Sequence, residues 1–359
     1  MIIVSLLFFG LCFYSTKIKK NLFSSDLYLG GYSIHNTSAL KGIVALGIIL
    51  CHITSRVDYH IPIVSFSVLG SIGVGIFFFL SGYSLVVSSK KNPCYFNYFL
   101  YKRGAKIMIP FTGMMILWII IVCGGTGYPL YAIIKSWIKG YPVSNSWYVF
   151  ASIYCYILFW MAFYKLNKKK ENKKGIVIVT IGLITYIYMT AIVFQWGDWW
   201  YKTIECFLIG ILWGVYSPNI QKLIRKQYSL FLFILLGFSG VSYLFPSIWR
   251  RIFPVQGEYV WFINDALMGF SFTLLIAVLL YKIDICNRVT LFLGNISYEI
   301  YLLHGVVMAV LDSLGKQFWN LHIEQEIYAI LICTITIVAA TLFHNVNKRI
   351  LNKILKNIS

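Results

Sequence analysis

Long apolar runs recur along the chain, separated by short stretches that hold most of its charge. A helix needs about 20 mostly apolar residues to cross the hydrocarbon layer of a membrane. The pattern predicts eleven spans, at 2–15, 40–55, 67–87, 107–123, 146–165, 175–194, 199–216, 229–246, 261–281, 294–311 and 327–346. The first is short for a span. The longest break on the predicted outer side, about residues 124–145, carries the turn formers Gly124, Gly125, Gly127, Pro129 and Pro142. In hydrocarbon every backbone polar group must be satisfied within its own segment. The expected fold is therefore all-α, a polytopic transmembrane helical bundle with a ten-helix core and an extra N-terminal helix. The expected organisation is a short membrane helix and basic linker (1–37), one membrane domain (38–346) and a basic tail (347–359).

Composition supports a membrane protein and narrows its class. The chain is 59% hydrophobic and 12% charged, where a soluble domain carries about 25% charged residues. The net charge of +19 does not point to nucleic acid, because no basic face belongs to a folded soluble unit. Lys and Arg instead flank the apolar runs. With residue 41 at the cytoplasmic end of its helix, only Arg56, Lys135, Lys139, Lys202, Arg250, Arg251 and Lys316 fall outside. The other 24 of the 31 basic residues fall inside, which fixes the expected orientation and puts the C-terminus in the cytoplasm. Lys165 to Lys174 is the most basic loop, expected as a solvated cytoplasmic linker. No basic residue precedes the first apolar run, and Lys17, Lys19 and Lys20 follow it. That is the reverse of a cleaved signal peptide, so a retained helix with its N-terminus outside is expected. Trp137, Tyr141, Trp147 and Tyr148 read as an interfacial aromatic belt. The eight cysteines form no CxxC pair and read as small buried thiols, with no disulfide framework and no metal site expected.

Ionisable groups inside spans are costly and so mark candidate chemistry. His52, Glu205, Asp265, Glu299 and His304 are such groups. Lys41 and His52 lie eleven residues apart on one helix, close to three turns, so they share a face about 16 Å apart along the axis. A cation there can grip an anion, and an imidazole can accept and return a proton near neutral pH. Spacing alone serves equally well for an anchoring lysine and a packed histidine. Gly73, Gly75 and Gly82 permit close helix approach, with Ser81 as a hydrogen-bonding group beside them. Arg103 and Lys106 share a helix face before Pro110, placed either to orient the span or to bind phosphate. The segment carrying Ser297, Tyr298, Glu299, Tyr301 and His304 is too polar to face lipid.

Taken in order, these segments resemble acyltransferase family 3, bacterial polytopic membrane O-acyltransferases acting on cell-surface carbohydrates. The resemblance rests on five elements. They are Lys41 with His52; Phe78, Phe79, Ser81 and Gly82; Arg103, Lys106 and Pro110; Trp147 with Tyr148; and Gly294, Ser297, Tyr298, Tyr301, Leu302 and His304. It covers about residues 38 to 346. Lys41 and Lys106 stand where the family more often has Arg, and no acidic residue precedes Phe78 near Gly75. The resemblance implies transfer of an acyl group, most often acetyl, from acetyl-coenzyme A in the cytoplasm. The acceptor would be a sugar hydroxyl of a surface polysaccharide or its lipid-linked precursor, and the site the bacterial cytoplasmic membrane. It implies that Lys41, Arg103 and Lys106 bind the donor and that His52 is catalytic. Ser81, Glu299, Tyr301 and His304 would line a substrate or proton path. The expected partners are membrane lipid and the glycan acceptor, with no nucleic acid. Two other classes fit the composition, a polysaccharide flippase or transporter and a polysaccharide polymerase. Against them stand the lack of an internal repeat and of a large outer loop.

Overall fold

A computed structural model describes residues 2–56, 66–127, 129–164, 171–252, 258–314 and 325–356. The loop call at Lys165–Lys174 falls outside them up to residue 170, as do Lys316 and the last three residues of the tail.

The described chain is a helical bundle with one two-residue strand pair. Its helices are α1 (Ile2–Ser15), α2 (Ile34–Thr54), α3 (Leu69–Lys91), α4 (Phe99–Leu117), α5 (Leu130–Ile138), α6 (Trp147–Phe163), α7 (Asn172–Tyr188), α8 (Glu205–Val215), α9 (Ser217–Ile252), α10 (Glu258–Leu279), α11 (Arg288–Asn295), α12 (Ser297–Leu314) and α13 (Gln325–Lys356). Short π-helical turns, Trp118–Cys123 and Met189–Val193, extend α4 and α7. Each predicted span has a helix. Seven helical stretches are long and apolar enough to cross a membrane, while α1 and α6 are apolar but shorter.

Three boundaries differ from the sequence reading, each for a local reason. First, α2 starts at Ile34 rather than near 40, because the Ser33 side chain caps it by accepting from the Asn36 amide at 3.2 Å. Lys41 therefore lies two turns inside the helix rather than at its end. Second, the predicted span 199–216 holds only the 11 residues of α8, about 16 Å of helix and too short to cross alone. Third, the predicted span 294–311 is a bent pair. A capping box of Asn287 and Thr290 starts α11, and the chain turns 70° before α12. Similarly, α9 is broken at Gln227 (φ −137°, ψ 37°), which separates a basic first segment from the apolar remainder.

Polar contacts between distant segments join ends that the charge count assigns to the same side. At one end Lys17–Ile18 pairs antiparallel with Ile283–Asp284. The fully buried Lys282 ammonium donates to the Ser24 carbonyl at 2.8 Å and the Asp26 carbonyl at 2.7 Å, and lies 4.3 Å from the Tyr228 ring centroid. Lys90 donates to the Gly214 and Val215 carbonyls, both at 2.9 Å, at the C-terminus of α8. At the other end Arg56 Nε meets Asp312 at 2.8 Å, and Lys202 meets Asp265 at 2.7 Å and Asp198 at 3.3 Å. Burial works against the Lys202 charge, but these two carboxylates outweigh it and raise its pKa. Asp265, flagged as a candidate for chemistry, is thus half of an ion pair.

The cysteines are all free, and not all are buried. Cys155 and Cys206 are buried, Cys94 is exposed, and the rest lie between.

α3 and α8 pack backbone to backbone. A side chain on Gly82 would strike the Phe207 carbonyl oxygen, and one on Gly210 the Phe79 carbonyl oxygen. Neither obstacle is a side chain that can swing away. Gly210→Leu is therefore expected to destabilise the protein by about 1–3 kcal/mol or more. Gly237→Leu, where nothing lies within 4 Å, is expected to stay within about 0.5 kcal/mol. Melting temperatures in detergent check the contrast.

Candidate functional site

Five helices close around a cavity of about 200 Å³. Lys41 enters from α2, Phe77 and Ser81 from α3, and Arg103, Lys106 and Ile107 from α4. Tyr148, Val149, Ser152 and Tyr156 come from α6, and Ser297, Tyr298 and Tyr301 from α12. Three cations and a ring of hydroxyls thus line one chamber. Exposure falls from Lys106, which is exposed, through half-buried Arg103 and Lys41 to buried Tyr301. The mouth is therefore at Lys106 and the floor at Tyr301.

Local chemistry holds the cations in place. Arg103 Nη2 donates to the Tyr95 hydroxyl at 2.8 Å, and the guanidinium lies 5.9 Å from the ring centroids of both Tyr95 and Tyr156. Tyr298 donates to the Ile107 carbonyl at 3.0 Å, beside the turn weakened by Pro110, and so couples α12 to α4. The Tyr301 hydroxyl donates to the carbonyl of Asn145, whose backbone is left-handed (φ 55°). Among the described residues no carboxylate pairs with Lys41, Arg103 or Lys106. The three positive charges repel one another across a small, partly dry space. An anion with several oxygens would relieve that repulsion and accept their hydrogens.

His52 does not line this chamber. It lies further along α2, stacked on His304 of α12 with ring centroids 5.0 Å apart and the planes 23° from parallel. His304 is fully buried. Its Nδ1 lies 2.5 Å from the Tyr301 carbonyl. A carbonyl only accepts, so Nδ1 carries the hydrogen and Nε2 carries a lone pair. Among the described residues that buried Nε2 has no hydrogen-bond partner. Tyr301 touches both groups: its ring centroid is 5.5 Å from that of Tyr148 in the chamber and 5.8 Å from that of His304.

The candidate residues therefore separate into two clusters joined at Tyr301. Lys41, Ser81, Arg103, Lys106 and Tyr301 share the chamber, and His52 and His304 form the stack behind it. Glu299 belongs to neither. Its carboxylate bonds His344 Nδ1 on α13 at 2.9 Å. The helix explains this, since Tyr298, Tyr301 and His304 step round α12 by about 60° at a time in one sense, while Glu299 lies about 100° from Tyr298 in the other. Glu205 likewise starts α8 away from both clusters, beside Cys206 at 3.9 Å.

Tyr148 and Trp147 are not belt residues. Tyr148 packs on Phe78 with centroids 4.9 Å apart and faces the chamber, and Trp147 is buried against Trp200 at 6.1 Å. The sequence reading also passed over Ser152, Tyr156 and Tyr95. Tyr148, Ser152 and Tyr156 recur every four residues in an apolar helix, a polar stripe that would have revealed them.

A family model described as an acyltransferase domain matches residues 34–345, from the first residue of α2 into α13. No curated protein and no solved structure gives a significant match.

The chamber is expected to bind a polyanion in a charge-dependent way. In a thermal-shift titration of the full-length protein, inorganic pyrophosphate should stabilise the parent. Arg103→Gln should weaken that binding about tenfold or more, since a charge-assisted hydrogen bond is worth about 1.5–3 kcal/mol. Binding should also weaken as salt rises.

Proposed function

This chain belongs to the acyltransferase family, and on that premise we propose that it is a membrane O-acetyltransferase of cell-envelope carbohydrate. The donor is acetyl-coenzyme A from the cytoplasm. The acceptor is a sugar hydroxyl on a surface polysaccharide or its lipid-linked precursor, and the membrane is the bacterial cytoplasmic one. The observation that carries this reading is the chamber. Three cations with no carboxylate partner among the described residues line a cavity of about 200 Å³, with the stack of half-buried His52 on fully buried His304 behind its floor.

Coenzyme A presents several phosphates at one end and a thioester at the end of a long flexible arm. Lys106 and Arg103 at the mouth suit the phosphates, with Lys41 deeper in. A chamber of this size takes a phosphate cluster or part of the arm, leaving the remaining coenzyme toward the aqueous opening. The arm then runs past Ser81, Tyr148 and Tyr301 toward His52, about 16 Å along the axis from Lys41. His52 takes the acceptor's hydroxyl proton as its oxygen attacks the thioester carbonyl. The new C–O bond forms, the C–S bond breaks, and the proton passes to the coenzyme sulfur. His304, with its Nδ1 hydrogen directed to the Tyr301 carbonyl, supports the charge that His52 gains. Glu299 and His344 stand apart from this path and brace α12 against α13.

Family membership replaces the transporter and polymerase alternatives with an acyltransferase, and the acyl group and acceptor are measurable. Purified protein with isotope-labelled acetyl-coenzyme A and envelope glycan should yield labelled ester. Glycans from cells lacking the protein should lose the mass of one acetyl group per modified sugar. His52→Ala should lower transfer by about 10²–10⁴-fold while leaving pyrophosphate binding intact. Normal transfer by a folded His52→Ala protein would remove His52 from the mechanism, and unchanged glycan masses would defeat the acetyl assignment.

A further inference from the structure

His52 and His304 belong to different helices, so their relation depends on how α2 and α12 are held together. On one side of the stack the hold is backbone on backbone, through α11, the helix that leads into α12. Gly42, ten residues before His52, and Gly294, ten before His304, lie so close that a side chain on Gly42 would meet the Gly294 amide nitrogen at 2.5 Å. On the other side the hold is ionic. Arg56 lies just past the C-terminus of α2, four residues after His52, and Met308 and Asp312 follow His304 by four and eight along α12. Arg56 Nε meets Asp312 Oδ2 at 2.8 Å, and its Nη1 lies 2.9 Å from Met308 Sδ. The Tyr328 hydroxyl of α13 donates to the other Asp312 oxygen.

This arrangement is a poor stabiliser and a good locator. The Arg56 and Asp312 side chains are each 35% exposed, where a single ion pair contributes little to folding. One rigid guanidinium nevertheless contacts two side chains one turn apart on α12, which fixes distance and rotation together. Tyr328 then anchors the carboxylate from a third helix. We propose that Arg56, Asp312 and Tyr328 are positioning residues that set the His52–His304 stack in its working geometry. The proposal rests on the acyltransferase reading of the histidine pair.

Full-length protein in detergent or nanodiscs tests it in two ways. In steady-state kinetics, Arg56→Ala should lower kcat at least tenfold and leave KM for acetyl-coenzyme A within twofold, because the chamber is untouched. Arg56→Lys keeps the charge but loses the second donor and should fall between. The exchanged pair R56D/D312R should recover at least a third of the parental kcat. A kcat within twofold of the parent for Arg56→Ala overturns the proposal. So does a loss that the exchange does not repair in a protein with the parental melting temperature. The second readout needs no activity. In spectra of ¹⁵N-histidine-labelled protein, Arg56→Ala should shift two imidazole signals, identified by their loss in H52N and H304N. Unshifted signals overturn the proposal. If the unmodified protein transfers no acetyl group, the functional reading fails and the spectra alone decide the strut.

Discussion

Hydrocarbon offers a charge no partner, and the organisation of this protein follows from how each charge near or within the bundle is answered. An unpaired buried charge costs several kcal/mol. Most are answered by protein. Lys282 is held by two carbonyls and an aromatic face, Lys202 by Asp198 and Asp265, Arg56 by Asp312, and Glu299 by His344. Apart from Lys202 with Asp198, four residues apart, these contacts tie segments far apart in sequence, so the same contact that answers a charge also sets the position of a helix. Lys41, Arg103 and Lys106 differ in having no carboxylate partner among the described residues, although Arg103 is held by the Tyr95 hydroxyl and two aromatic faces. They meet in one chamber, and the chemistry they lack is that of an anion with many oxygens.

The chamber and the histidine stack are two parts of one line. α12 supplies both, with Ser297, Tyr298 and Tyr301 in the chamber and His304 behind it. The 70° bend before Ser297 gives this helix its own axis, separate from α11, which packs against the start of α2. α2 supplies the other half, with Lys41 in the chamber and His52 in the stack. In the proposed mechanism, a donor held by its charged end at α4 would have its reactive end directed along the α2–α12 seam. Small residues at Gly42 and Gly294 let α11 close against α2 at the start of that seam, and close backbone approach is the usual way that helices gain contact in a membrane, where apolar burial alone does not favour association.

Much of the fold was legible because its signals are local. Apolar length predicts a helix wherever no water can satisfy the backbone, and a helix formed at each expected place. The charge count assigned the ends of those helices to two sides, and the cross-links from Lys17–Ile18 to Ile283–Asp284 and from Arg56 to Asp312 join ends assigned alike. The misjudged features depend on specific side-chain hydrogen bonds or on neighbours. Ser33 lengthens α2 by a cap, Asn287 and Thr290 start a separate α11, and α8 packs backbone to backbone on α3.

For the site, the sequence by itself determined which residues were unusual. It singled out cations and imidazoles in apolar helices, and put Lys41 and His52 on one face, because helical period is a property of a single segment. Only the tertiary structure decided who meets whom. It set Lys41 beside Arg103 and Lys106, stacked His52 on His304, moved Tyr148 from an interfacial belt to a chamber wall, and gave Glu299 to His344. Those outcomes depend on the rotation of one helix against another, which is set by packing at positions such as Gly42 and Gly294 and by pairs such as Arg56 and Asp312 that lie more than two hundred residues apart. No single segment carries that information, since two helices with the same faces can be turned to present different ones.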